Sequence, residues 1–143
     1  MQMKNTILVG ALMLISAFAT AAGEPLAKEG AHEVIKAYTS AIVATYACRT
    51  TLDGGNGQYH QALSAAEEAF TRATDDRDKA KMMIAVLEKR IENEDPGAQL
   101  TRQFDEVNAG PELRKKSCEQ LVSGSEQRAT EASERFKLNT RAQ

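Results

Sequence analysis

Residues 58–93, QYHQALSAAEEAFTRATDDRDKAKMMIAVLEKRIEN, set the fold class, because one apolar rhythm runs through them. Tyr59, Leu63, Ala66, Phe70, Ala73, Arg77, Ala80, Ile84, Leu87 and Ile91 follow one another at alternating steps of four and three. Arg77 is the single polar member. That spacing holds side chains on one face of an α-helix, whereas a strand needs alternation at every second residue. Thr74-Asp75-Asp76 resembles a helix start inside the run, with Asp75 as cap and Asp78 three residues on. A break is expected to reset the apolar phase, and the phase does not slip. The spacing therefore predicts one helix from about Gln58 to Asn93, roughly 54 Å long. Glu68 with Arg72 and Asp75 with Lys79 place acid before base, four residues apart, on its outer face. Arg77 is expected to snorkel out of the seam.

The same rhythm recurs on both sides. Ala27, Ala31, Val34, Tyr38, Ala41, Thr45, Cys48 and Leu52 form a first seam, widened by Ile35 and Ile42. Its helix is expected to start near Pro25, which suits a first helical turn, and to end around Thr51. A further seam runs through Cys118, Val122, Ser125, Ala129, Ala132 and Phe136, with Leu113 and Leu121 beside it. Pro111 opens that helix after Asn108-Ala109-Gly110. Asp95-Pro96-Gly97 is a clear break, followed by a short helix with Leu100, Phe104 and Val107 on one face. With no strand pattern, the chain reads as an all-α antiparallel bundle of three principal helices plus one short helix. The small seam residues imply close helix approach and a thin core. Heptad-like spacing suits an intermolecular coiled coil as well, so the oligomeric state stays open.

Residues 1–22 have the form of a secretory signal peptide: Lys4, an apolar stretch of 13 residues from Ile7 to Ala19, then small residues suited to cleavage after Ala21 or Ala22. The apolar stretch is short of the roughly 20 residues that span a bilayer. Residues 23–143 are then a single helical domain with 17 basic and 20 acidic residues. That balance offers no cluster of positive charge for nucleic acid or anionic lipid. The expected location is periplasmic, with secretion as the alternative.

Two cysteines in an exported chain point to one disulfide, Cys48–Cys118. Both fall on seams, Cys48 near the end of the first helix and Cys118 in the second turn of the last. Antiparallel neighbours bring those ends together. Closing so long a loop is worth about 4 kcal/mol in the chain-entropy model.

Residues 46–60, YACRTTLDGGNGQYH, hold the residues closest to a site. A Walker-type phosphate loop needs a lysine and a hydroxyl that Leu52-Asp53-Gly54-Gly55-Asn56-Gly57 lacks. A dinucleotide fingerprint needs a preceding strand, and a helix precedes here. The glycines and asparagine instead suit a helix stop and tight turn. His32 and His60 are weak metal candidates, with Glu29 and other carboxylates as co-ligands. Neither has a second ligand at helical spacing, and His32-Glu33 lacks the closing histidine of HExxH. Cysteine catalysis through Cys48 near His60 requires a free thiol, which the disulfide removes. Glu67-Glu68 and Asp75-Asp76 belong to a mixed solvated face. The tail EQRATEASERFKLNTRAQ is weakly amphipathic and ends either as plain termination or as a partner-binding helix.

With no common catalytic motif present, no catalytic residue and no cofactor are expected. The function expected is protein–protein binding by a small exported cell-envelope protein of the immunity, inhibitor, chaperone or secretion-accessory kind. Its partner is then another envelope or exported protein. The alternative is a periplasmic carrier of a metal or small ligand using His32 and His60.

Overall fold

The computed structural model describes residues 29–141. The signal peptide expected at residues 1–22 and the helix start expected near Pro25 lie outside the described residues. Five α-helices occupy them: α1 (Ala31–Ala47), α2 (Gly55–Thr74), α3 (Arg77–Glu94), α4 (Pro96–Glu106) and α5 (Pro111–Arg141). The expected all-α bundle with one disulfide is what forms, but its helices are divided differently.

Helix α1 begins only at Ala31, because Gly30 turns the chain through the left-handed region at φ +85°. Its five consecutive residues Ala41–Thr45 are all buried, more than one stripe could cover. The helix is therefore central, packed against α2 on one side and α5 on another, with α4 near its end. Gly30 lies against Phe136 and Asn139, so the start of α1 meets the end of α5 and the two run antiparallel. Buried hydroxyls are satisfied within their own helices: Thr45 Oγ1 donates to the carbonyls of Ala41 and Ile42, and Ser125 Oγ to that of Val122, each at 2.9 Å.

The single helix expected over 58–93 is in fact two, and this corrects the sequence-based expectation. Thr74 ends α2 and Asp75 adopts φ +56°. Asp76 is extended and caps α3, its Oδ1 accepting from the Lys79 N–H at 3.0 Å. Thr74 Oγ1 donates to the Phe70 carbonyl at 2.7 Å and accepts from the Asp76 N–H at 3.3 Å, which fastens the turn on both sides. The chain then doubles back. Arg77 Nη1 reaches Glu67 Oε1 at 3.5 Å, although ten residues of straight helix would hold them roughly 15 Å apart. At the other end of the hairpin, Glu88 and Glu92 lie close enough to Tyr59 to act on its phenol. The physical reason is plain. Apolar phase fixes which face each segment turns to the core, and a two-residue turn between Ala73 and Ala80 leaves that phase intact. Arg77 is an exposed residue at the hairpin tip and needs no snorkelling.

Asp95, at φ +47°, closes α3 with its N–H on the Ile91 carbonyl and opens α4 with Oδ1 accepting from Ala98, ahead of Pro96. Leu100 and Phe104 turn inward, whereas Val107 lies past the helix end and is exposed, off the face expected for it. Arg114 holds the last corner, donating to Ala109 O at 2.8 Å and pairing with Asp105 at 2.7 Å. Pro111 then starts α5, whose 31 residues span roughly 46 Å.

The main core gathers Val34, Ile42, Tyr59, Phe70, Leu87 and Phe136. A smaller core of Ala44, Leu100, Phe104 and Val122 surrounds Cys48–Cys118, whose Cα atoms are 5.6 Å apart. Among the described residues ten of the 25 buried apolar side chains are alanine, so the helices approach closely around few large side chains.

Candidate functional site

The segment that follows α1 is built as a corner. Cys48 closes the helix and is bonded to Cys118, both sulfurs deep in the small core. Its carbonyl then accepts from the N–H groups of Thr51 and Leu52, and the Leu52 carbonyl from Gly55. These amides are used inside the turn, which is the opposite of an anion cradle. Gly55 presses on the backbone of Arg49: a Cβ there would meet the Arg49 carbonyl oxygen and lie 2.7 Å from its Cα. A glycine is required at that position by packing alone. The second helix accordingly starts at Gly55, three residues before the expected Gln58.

Arg49 folds back over Tyr46, its Cζ 3.7 Å from the ring centroid and Nη1 donating to the Tyr46 carbonyl at 2.9 Å. Tyr46 meets Tyr59 edge to face at 5.2 Å. The Tyr59 phenol is pushed up to about 12 by burial first, then by the charge of Glu88, with smaller contributions from Tyr46 and Glu92. Its neutral form is the one the fold favours. His60 is exposed beside it, ring centroids 5.6 Å apart. The corner is an aromatic and guanidinium stack supporting a turn.

The two histidines are not brought together. His32 is the second residue of α1 and His60 lies in the second turn of antiparallel α2, which separates them by roughly 15 Å along the bundle. Among the described residues no group of three or more histidine, cysteine or acidic side chains is placed to hold a metal ion. The shared site considered for His32, Glu29 and His60 is not assembled. Cys48, the residue considered as a nucleophile, has its sulfur in the disulfide.

What the seams did not predict is a groove. It lies between α2 and α5 over α1 and has a volume of about 250 Å³. Tyr38 and Ala41 line it from α1, Ala62 and Ala65 from α2, and Ala129 from α5. Gln61, Glu126 and Thr130 bring polar groups to the same space. It exists because four of these positions stop at Cβ. The groove is open to solvent, and its volume lies near the lower end of the roughly 300–1,000 Å³ of small-molecule pockets. The available signal was Ala62 and Ala65, two alanines just outside the Tyr59–Leu63–Ala66 seam, where a solvated helix face would carry longer polar side chains.

Among the described residues no helix is long and apolar enough to cross a membrane. No family model, curated protein or solved structure matches the chain.

Proposed function

We propose that this protein is a non-catalytic binding module of a bacterial cell envelope, exported through residues 1–22 to the periplasm, where it engages another protein. The observation that carries this reading is the alanine-lined groove between α2 and α5, open to solvent and rimmed by polar groups. A buried disulfide closing most of the domain supports an oxidising compartment. The histidine-based carrier gains no support from the placement of His32 and His60.

A photo-crosslinking residue at Gln61 or Thr130, in the protein expressed in its native envelope, tests this. Both positions should give adducts with one discrete protein, and a probe at exposed Arg102 on α4 should not. Filling the groove with Ala65→Trp should abolish the adducts. Adducts that are equally abundant from all three positions, or purified protein that turns over a small substrate and binds no protein, would overturn the reading.

A further inference from the structure

Helix α3 turns outward two of the large exposed apolar side chains of the described residues, Met82 (68 % exposed) and Val86 (54 %). Four residues apart on a helix, they stand on one face, with exposed Ala85 between them and exposed Lys81 and Lys89 alongside. This is a short aliphatic ridge with basic flanks. The groove is its chemical complement: alanines within, Glu126 at the edge, and exposed Glu119 one heptad before Glu126 on the same side of α5. Within one molecule the two cannot meet, because Met82 and Val86 stay exposed and neither lines the groove.

We propose that the groove receives the Met82–Val86 ridge of a second copy of this chain, with Lys81 and Lys89 opposite Glu126 and Glu119. The proposal rests on the reading that the groove accepts protein side chains, and it names the partner. Ridge and groove are different surfaces, so each copy gives one and offers the other: a two-fold pair uses both contacts at once, whereas a one-way contact propagates into a ring or an open chain. Association should weaken with salt, since the paired charges lie at an exposed rim.

The test uses the processed, oxidised protein in sedimentation equilibrium across concentration. Wild type should associate as concentration rises, stopping at a dimer if the contact is reciprocal and passing beyond it if the contact is one-way. The ridge variant Met82→Glu/Val86→Glu and the groove variant Ala65→Glu alter exposed positions, and helical circular dichroism checks their folding. Each alone should lose about tenfold or more in association constant. Mixed in equal amounts, they should form a dimer and stop there, because each keeps the surface the other has lost. Should either variant fold poorly, a charge exchange replaces it: Lys81→Glu/Lys89→Glu weakens association and Glu119→Lys/Glu126→Lys in the other copy restores it. Wild type that remains monomeric, or variants that fail to complement while wild type associates, would overturn the proposal. Monomeric wild type with groove adducts to a different protein would leave the protein-binding function standing. Association unaffected by Ala65→Glu would overturn the proposal and leave the protein-binding reading to the crosslinks at Gln61 and Thr130.

Discussion

Replacing Gly55 by alanine asks whether the glycines of residues 54–57 serve the fold or a ligand. A Cβ at Gly55 would lie 2.7 Å from the Arg49 Cα, 2.8 Å from its carbonyl carbon and nearer still to its carbonyl oxygen, so it must retreat by about 1 Å to reach ordinary contact. The neighbour is main chain inside a hydrogen-bonded turn, so it cannot swing aside as a flexible side chain would. Overpacking of this kind costs about 3 kcal/mol at its upper end, and alanine returns up to about 1 kcal/mol of helix propensity, leaving a net loss of about 2 kcal/mol. Gly57 is the control. It lies in the same helical turn, and a methyl group there would meet nothing within 4 Å, so Gly57→Ala should be neutral or stabilising by up to about 1 kcal/mol. Urea denaturation of both oxidised variants at constant m measures the contrast, an expected separation of about 2–3 kcal/mol between two sites two residues apart. A Gly55→Ala protein as stable as wild type would refute the packing account. If the glycines existed for a ligand instead, both substitutions would leave the unliganded protein nearly unchanged.

Three other outcomes follow from the same geometry. Removing the staple with Cys48→Ala/Cys118→Ala should cost about 2–4 kcal/mol in urea melts, because the closed loop spans 70 residues, and a loss below about 1 kcal/mol would contradict it. Tyr59 has its pKa raised from 10.0 to about 12, so its neutral form is favoured by folding. The stability it contributes is full below pH 10 and falls as pH rises through about 12, by about 2–3 kcal/mol in all; Tyr59→Phe should flatten that part of the alkaline melt profile. Asp76→Ala removes the cap on the Lys79 N–H and should lower thermal stability by about 1 kcal/mol, with no effect expected if residues 58–93 were one helix.

How the helices pair was legible where chemistry and periodicity agreed. Cys48 and Cys118 sat in phase on two seams, and an antiparallel arrangement brings those positions to 5.6 Å between Cα atoms. Pro111 and Asp95-Pro96 marked helix starts because proline fixes φ where the missing N–H costs nothing. The failure at Thr74–Asp76 came from letting periodicity outrank capping. Apolar period carries no information about collinearity, whereas an aspartate in the left-handed region followed by an extended, capping aspartate does. The extent of α1's burial was equally hidden: Val43 and Ala44 lie off its seam and are still 4 % and 1 % exposed. Only neighbours on several sides produce that, and a single chain's rhythm does not report how many neighbours a helix has.

The groove was illegible for a related reason, and it separates two jobs of one residue type. On α2, Ala66, Ala69 and Ala73 are buried and let helices approach, while Ala62 and Ala65 on the adjoining face leave space uncovered. The two sets meet at the neighbours Ala65 and Ala66, and nothing in the residue itself tells a filled contact from an unfilled one. Their responses to enlargement differ. Ala66 is 0 % exposed, so Ala66→Leu drives a branched side chain into closed packing and should cost about 1–3 kcal/mol. Ala65 is exposed, so Ala65→Leu has room, changes stability by no more than about 0.5 kcal/mol, and occupies the groove. Adjacent alanines would thus divide cleanly, one carrying the fold and the other carrying recognition. Urea melts and crosslinking on the same two variants measure that division directly. If Ala65→Leu proved as destabilising as Ala66→Leu, the groove would be part of the core, and protein binding there would lose its basis.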